Sequence, residues 1–500
     1  MEQTTPVFEC SKSGEETCRI QGKYLHSKYN PTSEGERFAA LIRADFSPLC
    51  ILLLEPALAY CAPFIRKRFP SVSLCAIRFS DDFSRADHHF DFVFHDSPAL
   101  SDDLFDALGE EKLSSCLALD WNPSKALFPQ ESAHVWNAVK AAVLKARDVI
   151  GTRAYFSKRW LKNALIFASR VQHAGTLSTG ECPIIIAASG PSLASSLPFL
   201  KAHRPSFFLI ALSSAYLPLA TAGITPDVVI SSDGGYWAKK HLAHTAGTEK
   251  PVFALEGESA VPSPLFSERA IVPLSYPNGL ETAFFDAAHI PHMRSERNGT
   301  VAGTALQFAL SLTSGSVYLC GLDQAPASGF QHTQPNALEN GAARHDGRLR
   351  PTETRLTRAR FSSEGSLALY RAWFVSHSAS FARRVFRLSD NERYAYPLGS
   401  ITEVNWSDFL KREAHGALKK RVPQFCSQEL SPENRATVLL DTLRSLSKTS
   451  AFTEEVFPAD ALLLKREQNE QKRSELLAQL DKKRNALIAE CTALVQSKGA

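Results

Sequence analysis

The chain has 500 residues, 44% hydrophobic and 22% charged, which is the make-up of an ordinary globular protein with room for about two to four domains. Its 56 Lys and Arg against 52 Asp and Glu leave a formal charge of only +4, so neither a nucleic-acid nor a membrane partner is expected from charge. The ten cysteines form no CxxC pair and no Cys/His zinc spacing, and Cys50, Cys75, Cys182 and Cys320 sit inside apolar runs, a usage that suits a reducing compartment.

The amino-terminal stretch MEQTTPVFECSKSGEE is polar and has no signal-peptide core. No run approaches the roughly 18–20 apolar residues that cross a bilayer. A cytoplasmic location is expected. Residues 1–130 then read as a small α/β domain, a degenerate Rossmann-like unit with strands at 49–55, 73–79 and 90–95. The turn after its first strand, Glu55-Pro56-Ala57-Leu58-Ala59, contains no glycine. A dinucleotide fingerprint needs glycines there so that backbone can approach a pyrophosphate, so this domain reads as a structural or partner-docking unit.

Residues 131–180 read as a helical connector, with apolar positions three and four apart over 131–172 and a polar break at 176–180. From 181 to 405 the alternation of apolar runs and helical segments is densest. Strands are predicted at 183–188, 207–212, 227–231, 252–255, 316–320 and 384–388, with helices at 193–202, 214–222, 300–313 and 363–380. From 406 to 500 the chain reads as helical. Leu477, Leu480, Leu487, Cys491 and Leu494 follow a coiled-coil-like spacing that also fits a helix packed on the body of the protein.

In parallel sheets ligands bind beyond the carboxyl ends of the strands, so the residues there are the candidates for a site. After the first central strand, Ser189, Gly190, Pro191 and Ser192 combine a small turn with a helix start, which would make an anion cradle. A tight, serine-capped strand–helix connection is the alternative. Ser213-Ser214 and Ser231-Ser232-Asp233-Gly234-Gly235 follow the next two strands; Asp233 would bind a sugar hydroxyl or a divalent cation, or simply form a turn. Asn298, Gly299 and Thr300 open a further helix, and Asp323 ends the strand SVYLCGLD, with a structural bond to loop amides as its alternative role. Beyond it runs a long polar loop with His332, His345 and arginines at 344, 348, 350, 355, 358 and 360, a segment suited to acid–base work and anionic ligands.

The motifs PIIIAASGPSLASSLPFL, GITPDVVISSDGGYWAKKHL and NGTVAGTALQFALSLTSGSVYLCGLDQ, in that order, resemble the central domain of the motility-associated factor (Maf) flagellin glycosyltransferases. The resemblance runs over roughly residues 150–405, from RWLKNALI to RLSDNERYAYPLGSI. The same domain is similar to archaeal 6-hydroxymethylpterin pyrophosphokinases and, more distantly, to bacterial CMP-sialic-acid sialyltransferases. It implies a Rossmann-like enzyme that moves a nonulosonic sugar from its CMP-activated form to Ser or Thr of flagellin. By position, Ser189, Gly190, Pro191 and Ser192 would hold the CMP phosphate. Ser213, Asp233, Asn298, Gly299, Thr300 and Asp323 would line the nucleotide–sugar pocket, and His332 would be catalytic or face the phosphate. No metal ligand set and no resident cofactor is implied beyond the donor, and a divalent cation is left open. Ala188 stands where many relatives carry glycine. The alternatives are a Mg-dependent pterin pyrophosphokinase using Asp233 and Asp323, or an inactive nucleotide-binding or assembly protein of the same fold.

Overall fold

The computed structural model describes residues 5–243, 250–325, 330–362, 364–381, 383–389, 396–414, 421–430 and 434–497. Two units emerge, one of residues 1–157 with 449–486 and the other of 158–448 with 487–500. These boundaries differ from the four sequence-derived segments. The expected connector is one helix, Pro129–Arg170, and its residues divide between the units at 157/158.

In the first unit, three strands missed by the sequence reading form an antiparallel sheet: β1 (Val7–Cys10), β2 (Glu16–Ile20) and β3 (Lys23–Tyr24). They are short and largely polar, so no apolar run announces them. The parallel sheet contains β4 (Cys50–Leu54), β5 (Ser73–Arg78), β6 (Phe92–His95) and β7 (Cys116–Asp120) in the order β6-β5-β4-β7. Its strand order reverses between β4 and β7, the place where a Rossmann-like sheet would hold a ligand. Protein fills it. Glu55 and Arg78, both fully buried, pair at 2.9 Å, and Glu55 also accepts from the amides of Phe79 (2.7 Å) and Ala57 (3.2 Å). Glu55, Ala57 and Ala59 all adopt positive φ without being glycine, which closes the turn over this ion pair.

The second unit is built on an eleven-stranded sheet. Its strands are β8 (His173–Leu177), β9 (Ile184–Ala187), β10 (Phe208–Leu212), β11 (Val228–Ser231), β12 (Val252–Glu256), β13 (Ile271–Ser275), β14 (Met293–Arg294), β15 (Val317–Cys320), β16 (Val385–Leu388), β17 (Thr402–Val404) and β18 (Phe425–Glu429). The order is β17-β16-β15-β9-β10-β11-β12-β13-β8-β18, with β14 beside β13, and every pairing but β18 with β8 is parallel. The inner strands are unbroken apolar runs because both faces are covered: Ile184, Ile186, Ile210 and Leu319 lie in a core shared with Ala305, Leu306 and Ala309 of the helix Val301–Leu312. This is the Rossmann-like α/β domain read from the sequence.

Several local expectations are corrected. The polar break at 176–180 begins inside β8, and the tail expected to be helical supplies the edge strand β18, whose residues are mostly exposed and carry only Phe425 against the core. β13 was missed although its residues are all buried, since Pro273 interrupts the apolar run. The long loop after β15 contains two helices, Ala337–Ala343 and Thr352–Ser362. The first is capped by Asn336, whose side-chain oxygen accepts from Leu338 N, and Arg355 joins the second to Glu339 and Asp346. The tail is otherwise helical. In its last helix, Glu470–Gln496, Leu480, Leu487 and Cys491 are buried while Leu477 is 44% exposed, so the apolar stripe is packed within the chain.

Candidate functional site at the strand-order reversal

Chain order fixes where a site can form. Successive strands β9 to β13 run outward in one direction, and β15 to β17 run outward in the other from a new start beside β9. The reversal therefore lies between β9 and β15. Register then sets which residues meet: Ala187 is level with Ala211 on one side and with Cys320 on the other. The residues that follow, Ser189, Ser213-Ser214 and Gly321–Asp323, emerge side by side.

The Ser189–Ser192 turn is not an open cradle, which corrects the sequence reading. Gly190 N donates to Gly321 O at 2.7 Å, Leu193 N donates to Gly190 O at 3.0 Å, and Ser192 N donates to Asp323 Oδ2 at 2.7 Å. Ser192 Oγ donates to the other oxygen of Asp323. Proline 191 has no amide hydrogen to offer. The carboxylate of Asp323 thus takes the place the anion was expected to fill, the structural alternative raised for this aspartate. Burial pushes the Asp323 carboxyl up, opposed by the two bonds from Ser192. Gly190 is required by packing: a Cβ there would lie 2.4 Å from Gly321 O and 2.7 Å from Asp323 Oδ2. Gly321 itself has φ +70°, and its own Cβ would meet Ala188 O at 2.3 Å.

On the other side of the turn, side chains remain available. Ser189 Oγ lies 2.7 Å from His332 Nδ1 and 2.7 Å from Ser214 Oγ. The His332 segment is tied to the turn by Thr333, whose amide donates to Ser189 O at 2.7 Å and whose hydroxyl donates to Gly190 O at 2.6 Å. Burial lowers the His332 pKa, with Glu339 pulling weakly the other way, so the imidazole is neutral near pH 7. A neutral ring fits a proton acceptor better than the protonated phosphate partner that the sequence reading also allowed. His241, on the helix Tyr236–Leu242, places its ring 6.3 Å from that of His332.

The other expected residues lie outside this bonded cluster. Ser213 is buried at the start of the helix Ser213–Thr221, and it is Ser214 that bonds to Ser189. Asp233 is exposed, with Oδ1 accepting from Gly235 N at 2.7 Å, which is its turn role. Asn298 is spent on Glu296 O (3.0 Å) and Gln307 Oε1 (2.7 Å), while Gly299, at φ +65°, has open space around its α-carbon, and Thr300 stands at the N-cap position of the helix Val301–Leu312 without a side-chain capping bond. His345 is exposed. Arg344, Arg348 and Arg350 are exposed, Arg355 is held by Glu339 and Asp346, and the side chains of Arg358 and Arg360 lie outside the described residues, as do residues 390–395 of the closing motif. Among the described residues no group of three or more His, Cys, Asp or Glu is arranged to hold a metal ion.

One charged assembly was not anticipated. Glu256 ends β12 fully buried, Glu258 and Glu281 are buried nearby, and Glu281 Oε1 accepts from Tyr276 N at 2.7 Å. Arg297 pairs with Glu258 at 2.7 Å, its guanidinium 5.2 Å from the Trp160 ring and 4.7 Å from the Tyr276 ring. Asn163 fastens the same corner, donating to Glu258 O at 2.8 Å and Gly234 O at 3.3 Å. Burial drives the Glu256 carboxyl well up, against a hydrogen bond from Ser295 and with Glu281 and Glu258 adding to the rise. The sequence reading ended this strand at 255, and nothing in the sequence marked the glutamate or its partners.

Fold and site together define an α/β chain whose second unit has a Rossmann-type strand reversal. Comparison with known proteins refines this. Residues 158–328, all within the second unit, match the family model described as 6-hydroxymethylpterin diphosphokinase MptE-like. Over 98% of its length the chain is similar to the structure of the Maf glycosyltransferase from Magnetospirillum magneticum AMB-1, with a TM-score of 0.59, 12% identity and 92% of that chain covered. The resemblance read in the sequence therefore holds: the protein has the fold of a Maf glycosyltransferase around an MptE-like domain. Two proteins of Treponema pallidum (strain Nichols), both described only as uncharacterized, are 29% identical over 309 residues and 28% identical over 121. These alignments cover 61% and 23% of this chain, and 66% and 56% of the relatives, so the chain spans less than two thirds of either.

Proposed function

We propose that the protein is a glycosyltransferase that moves a nonulosonic sugar from its CMP-activated form to Ser or Thr of flagellin, acting in the cytoplasm. The observation that carries the reading is the meeting of Ser189, Ser214 and a neutral His332 at the strand reversal of a chain with the Maf glycosyltransferase fold. In such a transfer the sugar–phosphate C–O bond breaks, its electron pair leaves with CMP, and a new C–O bond forms to the acceptor oxygen. The acceptor's proton needs a base. His332 is the base in this reading, since burial keeps its ring unprotonated near neutral pH.

Asp323 acts indirectly, by holding the Ser189–Ser192 turn in shape through Ser192. Ser213, Asp233, Asn298, Gly299 and Thr300 are assigned to the donor pocket on their place at the carboxyl edge of the sheet. The partners in this reading are the nucleotide sugar and flagellin, with neither nucleic acid nor membrane. A divalent cation would find Asp233 as its exposed carboxylate.

The name of the matched family favours a second reading, ATP-dependent diphosphoryl transfer to a pterin. It asks Asp233 and Asp323 to clamp Mg²⁺. The engagement of Asp323 by Ser192 weighs against it. Calorimetric titration of the full chain with CMP, CDP and ATP, with and without Mg²⁺, separates the two. Binding of CMP or CDP, followed by sugar transfer to flagellin that His332→Gln abolishes without loss of CMP binding, is the expected result. Preference for ATP with Mg²⁺ overturns it in favour of the kinase, and no nucleotide binding leaves an assembly protein.

A further inference from the structure

We infer that Ser214 is a positioning residue for His332, acting through Ser189, and that the three side chains form a proton path from the imidazole to solvent. The inference rests on the transferase reading, in which His332 takes the acceptor's proton. A row of hydroxyls on the Nδ1 side of the base can carry a proton away in the step in which Nε2 takes one up. Ser189 is buried, and its hydroxyl touches His332 Nδ1 and Ser214 Oγ at 2.7 Å each. Ser214, by contrast, keeps part of its surface in solvent. The row of three therefore starts at the ring and ends at a residue that is partly exposed.

Hydrogen counting gives the row two settings. In one, Nδ1–H donates to Ser189, and the Ser189 hydroxyl donates to Ser214, leaving Nε2 with a free lone pair. In the other, Ser214 donates to Ser189 and Ser189 donates to Nδ1, leaving hydrogen on Nε2. Proton transfer from the acceptor to Nε2 converts the first setting to the second. The Nδ1 proton passes to Ser189, the Ser189 proton to Ser214, and the Ser214 proton to water. The ring is reset when Nε2 gives its hydrogen to solvent and the row runs in reverse, taking one proton back from water, so that each turnover releases the acceptor's one proton.

Without the Ser214 hydroxyl, Ser189 retains only Nδ1 as its hydrogen-bond acceptor within the row. The ring is then held with hydrogen on Nε2, where it cannot act as a base. Among the described residues, the charged or titratable groups facing the ring are Glu339, on the helix Ala337–Ala343, and His241, on the helix Tyr236–Leu242. Neither belongs to the row.

The test uses the full chain with ¹⁵N-labelled histidine, His332→Gln identifying the His332 signal. Wild type and Ser214→Thr, which keeps a hydroxyl, are expected to show hydrogen on Nδ1, and Ser214→Ala to show it on Nε2. In the flagellin transfer assay, Ser214→Ala is expected to lower kcat by at least about tenfold with donor KM unchanged, and Ser214→Thr to restore it. The same tautomer in all three proteins, or a changed tautomer with unchanged kcat, overturns the inference. If wild type transfers no sugar at all, the transferase reading falls, whereas the tautomer measurement still decides whether Ser214 sets the ring. Should Ser214→Ala fail to fold, Ser214→Cys, similar in size but a poor hydroxyl substitute, takes its place in both measurements.

Discussion

At the scale of single residues, Glu256 makes stability depend on pH in an unusual direction. Burial raises its carboxyl pKa in the folded chain, so that above the ordinary carboxylate range the folded state keeps a proton that the unfolded state releases. Stability from this group therefore falls as pH rises, opposite to a salt-bridged carboxylate. Glu256→Gln keeps an acceptor for Ser295 and removes the charge. Urea unfolding midpoints from pH 4 to 9 are expected to decline more steeply with pH in wild type than in the variant; parallel curves would refute this. Gly190→Ala is the second residue-level case. Its methyl group would press on Gly321 O and Asp323, and a loss of about 1–3 kcal/mol is expected in thermal denaturation. The quoted turn announced Gly190 and Ser192 as special, but the reason differs from the one read. A glycine needed for a ligand and a glycine needed for a neighbouring backbone look alike in one dimension, and the neighbour here is 131 residues along the chain from the turn.

At the scale of elements, the inner strands except β8 and β13 were legible, and the edge strands β17 and β18 were not. Residues 184–187, 208–212 and 317–320 are buried on both faces, which forces an apolar run that any reading detects. β18 is an edge strand with exposed polar residues, and its existence depends on pairing with β8 rather than on its composition. The two helices after β15 were hidden for a similar reason, since much of what orders them is ionic. Arg355 reaches Glu339 at 2.7 Å and Asp346 at 2.9 Å, tying the helix Thr352–Ser362 to the chain behind it. Arg355→Ala is expected to speed amide hydrogen exchange over residues 337–346 while leaving β9 and β15 protected. Unchanged exchange there would mean that the ion pairs contribute no order to the segment following His332.

At the scale of the whole molecule, the chain contains two Rossmann-like sheets with opposite fates. In the second unit the strand reversal carries hydroxyls and a neutral histidine; in the first, Glu55 and Arg78 fill it. The missing glycines between 55 and 59 set this turn apart from a dinucleotide fingerprint, although the ion pair itself could not be read without knowing that Arg78 stands at the end of the adjacent strand. Removing one partner strands a buried charge. Glu55→Ala is expected to cost about 3–5 kcal/mol, seen as lost exchange protection in β4 and β5, with protection in β9 and β10 and CMP affinity retained. Loss of protection across both sheets would show instead that the two units unfold together.

The placement of β15 beside β9 also sets a timetable for synthesis. A ribosome delivers β9 to β13 long before it delivers residues 317–323, so the growing chain has half of its largest sheet while the flank of β9 is unpaired. The turn at Ser189–Ser192 must wait for Asp323, and Ser189 must wait for His332. Assembly of the chemistry is thereby postponed until most of the scaffold exists, and a chain interrupted before residue 317 would carry neither the clasp nor the base.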